Sequence, residues 1–295
     1  MPLASTSRTT SVVFCGVDQP DMKRLLFLIT CISLGISAST YAQFNQGGEA
    51  AGMSGAYLQA QNVWSAFHNQ AGLAAVRDLQ AGAYYESRFT MQALSIRGFA
   101  CALPIAKGTF GASYESFGYE QFNQSKFGAS YAMALSPRFL AGVQLDLLST
   151  RLGDLYGRAT QVAVEGGFQY KLNEKVWVNG HLYNPTRAKI SEYRDERVPT
   201  TIRAGASYQF GPKVQLAAEV RKQSDQAASV RCGIQYLASK HLLLCAGAGT
   251  QTNLISFGFG WKQNAFSLQA AASYHPILGF SPQVSMTYQR DGQEH

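Results

Sequence analysis

From Leu79 to Gln289 apolar and polar residues alternate with a period of two, the spacing of a strand with one greasy and one wet face. Val162, Val164, Phe168, Tyr170 and Leu172 alternate with Gln161, Glu165, Gln169 and Lys171. In Thr200 to Phe210, Ile202, Ala204, Ala206, Tyr208 and Phe210 oppose Arg203, Gly205, Ser207 and Gln209. Val214 to Arg221, Ile255 to Lys262 and Gln283 to Gln289 repeat the pattern. It predicts about 14 strands of about 10 residues, the length that crosses a bilayer when tilted. Sandwich strands are about half as long.

The connections sort by length. Ser136-Pro137, Leu172 to Lys175, Gly211-Pro212, Ala238 to Lys240 and Lys262 to Asn264 are tight turns rich in Pro, Gly, Asn and Lys. Between them fall longer excursions at Tyr119 to Ser125, Thr150 to Arg158 and Asn184 to Thr200, with Gln251 to Asn253 a short exception. Short turns on one side and long loops on the other are the habit of outer-membrane barrels. With an even strand number the sheet closes and leaves no unpaired edge in lipid. The expected fold is therefore all-β: a transmembrane antiparallel β-barrel over 77–295, preceded by a different kind of segment.

A four-residue motif recurs as Gly111-Ala-Ser-Tyr114, Gly128-Ala-Ser-Tyr131 and Gly205-Ala-Ser-Tyr208, with the variant Ala271-Ala-Ser-Tyr274. Each copy puts Gly and Ser on the expected lumen face and Ala and Tyr toward lipid, where Tyr suits the interfacial girdle. The expected lumen charges include Glu86, Arg97, Glu165, Arg203, Glu219 and Arg221. Their mixed signs fit a salt-bridged interior better than a filter of one sign.

Residues 1–42 read as a secretory signal. Lys23 and Arg24 precede an apolar core from Leu25 to Ile36, and small residues run to Ala42, so cleavage is expected there and Met22 is the expected biological start. Export leaves Cys101, Cys232 and Cys245 in the mature chain. Cys232 and Cys245 lie on consecutive expected strands, so a bridge between them is conceivable beside the plainer reading of small apolar strand residues. The net charge of +7 comes from scattered basic residues, which points to anionic lipid rather than nucleic acid. His68, His181, His241, His275 and His295 stand apart, and no HExxH or GxSxG occurs, so neither an enzyme nor a metal or other cofactor is expected.

Residues 43–76 break the alternation. They carry Gly48-Glu-Ala-Ala-Gly-Met-Ser-Gly-Ala-Tyr57 and then Trp64-Ser-Ala-Phe-His-Asn-Gln-Ala-Gly-Leu73, which predicts a short helix with flanking turns. This pair of motifs resembles the amino-terminal signature of the superfamily containing FadL-type transporters of hydrophobic compounds and the PorV/PorQ proteins of type IX secretion. That signature is a G-M-G-G-A-Y run followed by S-A-x-x-x-N-P-A-G-L. Ser54 stands for a Gly here, Gln70 for the Pro, and Gln61-Asn62 for an acidic pair.

The resemblance implies a 14-stranded barrel in the outer membrane of a Gram-negative bacterium of the Bacteroidetes type, with the segment folded inward as a small hatch. Gly52, Met53, Gly55, Asn69 and Gly72 are the implied hatch residues. A periplasmic helix that merely leads into the barrel is the alternative. Of two functions, the scaffold reading is the expected one, because Ser54 in its Gly-rich run looks closer to the PorV/PorQ branch, and transport is the alternative. The PorV/PorQ likeness implies a binding or scaffold barrel with secreted proteins or type IX components as partners. The FadL likeness implies passage of a small hydrophobic compound, with Trp64, Phe67 and Leu73 lining an apolar pocket.

Overall fold

A computed structural model describes residues 45–153, 157–188, 197–250 and 254–290. The signal reading falls outside the described residues. The alternating stretch forms fourteen strands: β1 (Gln80–Ser87), β2 (Ser95–Ile105), β3 (Gly108–Gly118), β4 (Phe122–Ser136), β5 (Phe139–Leu152), β6 (Arg158–Lys171) and β7 (Val176–Tyr183), followed by β8 (Thr201–Phe210), β9 (Val214–Gln223), β10 (Ser229–Leu237), β11 (Leu242–Gly249), β12 (Leu254–Gln263), β13 (Phe266–His275) and β14 (Gly279–Gln289). Each pairs antiparallel with the next, and β14 returns to β1 with Gln80 opposite Gln289 and Glu86 opposite Gln283. The sheet is a closed transmembrane barrel. Closure gives every strand two neighbours, as the backbone requires where lipid offers it no hydrogen bonds.

Connections 106–107, 137–138, 172–175, 211–213, 238–241 and 264–265 cluster at one end, called lower here, with Gln80 and Gln289. Gly211 and Asn264 take the positive φ their turns need, at 66° and 51°. The opposite ends of the strands, with connections 88–94, 119–121, 224–228 and 276–278, form the upper end. Two expected loops are partly strand. β4 begins at Phe122 and β5 runs to Leu152, because Asn123 to Ser125 pair with Arg151 to Ser149 rather than leaving the sheet.

The alternation becomes a two-faced wall. Outward stand Phe99, Val143, Val162, Ile202, Phe257 and many like them, all exposed, while Gln144, Glu165, Gln169 and Glu219 are buried inside. An apolar belt of this extent belongs in lipid. Aromatic pairs mark its lower border: Phe110 and Tyr131 centroids lie 5.0 Å apart, Tyr208 and Phe210 4.3 Å, Phe266 and Tyr288 5.2 Å. The recurring motif follows the expected facing, with Ser113, Ser130 and Ser207 buried inside and Tyr114 and Tyr208 outside.

One expectation is corrected, and of the two cysteine readings the unbridged one holds. Arg97 is exposed on the outer face, because β2 turns Ile96, Gly98, Ala100 and Ala102 inward and Arg97, Phe99 and Leu103 outward. Cys232 and Cys245 are free and unsuited to bridging. Cys232 sits opposite Ala248 and Cys245 opposite Gln235, and the first is exposed while the second is buried on the inner face.

Val143 stands outward near the middle of the belt and is 60% exposed. Val143→Arg is expected to cost about 2–4 kcal/mol of barrel stability. Urea titration of folding in phosphatidylcholine vesicles measures it, and an unchanged midpoint would place this face outside the membrane.

Candidate functional site

Residues 45–76 lie inside the barrel and fill its lumen. The segment contains helix α1 (Gly48–Gly52), helix α2 (Ser65–His68) and a 3-10 turn at Gln70–Ala75. Met53, Ala56, Tyr57, Leu58, Val63, Trp64, Ala66, Asn69, Gln70, Ala71 and Leu73 have almost no exposed surface. The inward reading of this segment describes the structure, and the leading-helix alternative does not.

The wall makes room for this plug with small residues. A Cβ on Gly247 or Gly233 would lie 2.3 Å and 2.7 Å from Met53 atoms, and one on Gly142 would meet the Gln70 backbone at 2.5 Å. On Gly111, the first residue of the recurring motif, it would strike Leu73 at 2.7 Å. Volume is therefore matched across the interface, as in any packed core.

Hydrogen bonds anchor the segment at both halves. Ser256 of β12 donates from Oγ to the Gly52 carbonyl at 2.9 Å and accepts from the Ser54 amide at 2.8 Å, and its hydroxyl lies 2.7 Å from that of Ser54. Ser54 occupies the left-handed region at φ 53°, followed by Gly55 at 80°. That geometry explains why the related signature has Gly at the first position. Here the bonds to Ser256 offset the strain of a side chain.

In the second half, Asn69 caps the 3-10 turn. Its Oδ1 accepts from the Ala71 amide at 3.3 Å, and its Nδ2 donates to the carbonyls of Leu58 and of Phe168 in the wall, each at 3.1 Å. Asn69 is extended, at φ −161°, which is the conformation a following Pro would impose. The cap thus sets the turn without Pro at position 70. Gly72 packs so closely that a Cβ would lie 1.9 Å from the Ala60 carbonyl oxygen. Gln169 of β6 donates to the carbonyls of Leu58 and Ala60 at 2.8 and 2.9 Å.

Arg203 joins wall to plug. It grips Glu219 through Nε and Nη2 at 2.6 and 2.9 Å and donates onward to the carbonyls of His68 at 3.1 Å and Gly55 at 3.4 Å. A fork-to-carboxylate pair of this kind is strong and directional. Removing one partner would leave a buried charge uncompensated, a cost of about 3–5 kcal/mol. Lys126 lies 3.0 Å from Asp146 and 2.7 Å from Glu165, which also meets His181 at 3.1 Å. Glu86 lies on the inner wall 3.6 Å from Arg88, and Arg221 is opposite Arg203 in the register of β8 and β9. Of the expected lumen charges, Glu86, Glu165, Arg203, Glu219 and Arg221 are inside and Arg97 is not.

Within the plug, burial and then the Arg203 guanidinium push the His68 imidazole down from 6.5 to about 3, so it is neutral at pH 7. Its Nε2 meets the Gln46 carbonyl at 2.8 Å, and a carbonyl only accepts, so Nε2 carries the proton. Burial raises the Glu49 carboxyl, against the lowering bonds from Tyr57 and Gln235.

Trp64, Phe67 and Leu73 are buried within the plug's own core. Trp64 and Phe67 stack at 6.4 Å, and both meet Tyr84 of β1 edge-on at 5.9 Å. Two cavities open elsewhere, and both are polar. One, about 230 Å³, lies below the plug among Glu49, Tyr57, Asn62, Trp177, Gln215 and Gln235. The other, about 360 Å³, is lined by Arg97, Ser116, Tyr119, Glu120, Asn123 and Arg151 among others. Sequence reasoning missed as anchors Gln169, Ser256, Gln269, which donates to the Glu49 carboxylate at 2.8 Å, and Ser285, which accepts from the Gly48 amide at 2.8 Å. Their inward facing was legible from parity, but their partners across the lumen were not.

No protein-family model matches the sequence, and no curated protein matches it. Solved structures do. A FadL homologue from Pseudomonas aeruginosa superposes with a TM-score of 0.63 at 12% identity, covering 85% of this chain and 99% of that one. The toluene transporter TodX of Pseudomonas putida gives 0.61 at 11% identity, with 85% and 99% covered. A deltaS2S3 mutant of TodX, described as a monoaromatic hydrocarbon channel, gives 0.63 at 11%, with 83% and 98% covered. At these identities the likeness is one of architecture: the chain shares the fold of the FadL homologue and TodX.

Proposed function

We propose that the protein is an outer-membrane channel for a small hydrophobic compound, with residues 45–76 as its gate. The observation that carries this reading is that the lumen is closed by the chain's own amino-terminal segment rather than by the wall. The wall is complete without that segment. A plug seated on a finished barrel can move while the strands keep their pairing, which is what a gate needs. The fold shared with a toluene transporter and with a FadL homologue supports a hydrophobic cargo.

In this reading Trp64, Phe67 and Leu73 line the passage once the plug shifts, because they form the apolar part of its interface with β1 and β3. The anchors formed by Ser256, Gln169 and Arg203 set how easily it moves. The PorV/PorQ likeness and its scaffold role rest on the amino-terminal motif alone. Among the matching structures named above, the two of TodX are described by role, as a transporter and as a channel.

Two measurements test the proposal. The hydroxyls of Ser54 and Ser256 are 2.7 Å apart, so Ser54→Cys with Ser256→Cys, in a chain with Cys101, Cys232 and Cys245 changed to Ser, should oxidise to a disulfide. Uptake of radiolabelled toluene by Gram-negative cells lacking their own hydrophobic channel should fall several-fold on oxidation and recover on reduction. Uptake equal in both states would remove the plug from the passage. In planar bilayers, deleting 48–72 should convert a nearly silent barrel into one of steady conductance. A deleted barrel that folds, as shown by heat-modifiable gel migration, yet stays silent would favour a closed scaffold.

A further inference from the structure

Near the upper end, the inner face of β8, β9 and β10 carries more positive charge than the plug uses. Arg203 and Arg221 are direct cross-strand partners, and Glu219, two residues before Arg221, faces Arg231. Arg203, Glu219 and Arg231 are buried and Arg221 is half-buried. Like charges set directly opposite each other weaken a sheet, the more so where water is scarce. The three guanidiniums have one carboxylate between them. Glu219 is committed to Arg203, at 2.6 and 2.9 Å, and among the described residues it is the one carboxylate whose charge reaches Arg221 and Arg231.

Unused donors gather around Arg221. Arg203 spends its hydrogens on Glu219 and on the plug carbonyls of His68 and Gly55. Arg231, by contrast, makes one long bond, to Asn45 Oδ1 at 3.4 Å, and the buried Nε of Arg221 has no hydrogen-bond partner. Ser229 stands directly opposite Arg221, and Gln223 follows Arg221 on the same face of β9. Ser229 is 1% exposed and Gln223 3%, yet neither Ser229 Oγ nor Gln223 Nε2 has a partner. Buried polar groups rarely stay unsatisfied, and here the unsatisfied ones are donors beside an excess of cations. That combination calls for an anion with several acceptor oxygens.

We propose that Arg221, Arg231, Ser229 and Gln223 bind a phosphate dianion, free or as a soluble monoester, that enters from the upper end. Charge balance selects the dianion. Three guanidiniums against one carboxylate leave two positive charges, and a monocarboxylate would cancel only one of them. Guanidinium forks match phosphate oxygens, and the Ser229 hydroxyl and Gln223 amide serve the oxygens that remain. The half-buried Arg221 gives the ligand its way in. Arg203 keeps its bonds to Glu219 and the plug, so the site stands whether or not the plug moves and goes beyond the channel reading.

The test is equilibrium dialysis of the full mature barrel in dodecyl maltoside, at about pH 8 so that phosphate groups are doubly charged. The probes are radiolabelled inorganic phosphate, phenyl phosphate and benzoate. The wild type should bind a phosphate probe, and benzoate about tenfold more weakly. R221Q/R231Q should lose about a hundredfold in affinity, about tenfold for each charge-assisted contact. S229A keeps every charge and should lose about fivefold. R138Q/K240Q, at the lower turns, should bind like the wild type. Tighter binding of phenyl phosphate would assign a monoester as the ligand, and tighter binding of inorganic phosphate the free ion. No binding by the wild type, or undiminished binding by R221Q/R231Q, would overturn the site. Benzoate bound as tightly as phosphate would overturn the dianion, and an equal loss in R138Q/K240Q would reduce the effect to net charge. Heat-modifiable migration shows which variants fold; if R221Q/R231Q does not, unchanged affinity in S229A would overturn the site.

Discussion

The structure depends on the cost of an unpaired peptide group in hydrocarbon. Each unsatisfied amide or carbonyl there costs several kcal/mol, so the sheet must close on itself. Closure through Gln80–Glu86 against Gln289–Gln283 meets that demand and creates a second problem, a lumen wide enough to hold more than wall side chains. The segment 45–76 fills it. It carries its own polar backbone into the interior, so the wall must present partners: Ser256, Gln169, Ser285 and Arg203 answer the carbonyls and amides of the plug. The polar inner face is thus a hydrogen-bonding lattice for a second piece of chain as much as a lining for water.

This arrangement explains the mixture of strong and weak attachments. Met53 on Gly233 and Gly247, and Leu73 on Gly111, are shape contacts without direction. The Arg203–Glu219 pair is directional but belongs to the wall, with only its outer hydrogens reaching His68 and Gly55. Loss of the plug therefore leaves the buried ion pair intact. A segment held mainly by neutral bonds and small-residue packing can leave without stranding a charge, which suits a part that moves.

Much of the barrel was legible in the sequence because its signal is the side-chain parity of each strand, a local property. The tight turns at Gly211 and Asn264 were legible for the same reason, since only a few residue types accept their φ. The plug's position came from the motif, not from periodicity. Its anchors were hidden because Ser54 and Ser256, or Leu58 and Gln169, are far apart in the chain and joined only by closure. Loop lengths near Tyr119 and Thr150 were overestimated. Polar residues there read as solvent-facing loop, whereas they continue the sheet above the apolar belt.

Arg97 shows how the plug reverses the reading of a strand. A lumen wall is normally the polar face, so the charged residue of β2 reads as inward. Where Trp64, Phe67 and Leu73 press on the wall, however, the inner face must itself be apolar and small, and β2 answers with Ile96, Gly98, Ala100 and Ala102. Both faces of β2 are then apolar over most of its length, and parity no longer distinguishes them by polarity. The discriminating property is size: Phe99 and Leu103 are too large for the crowded side and go to lipid, carrying Arg97 outward with them. A charge on the large-residue face near a strand end belongs to the membrane border. The same plug that closes the lumen thus accounts for an arginine on the outside of the wall.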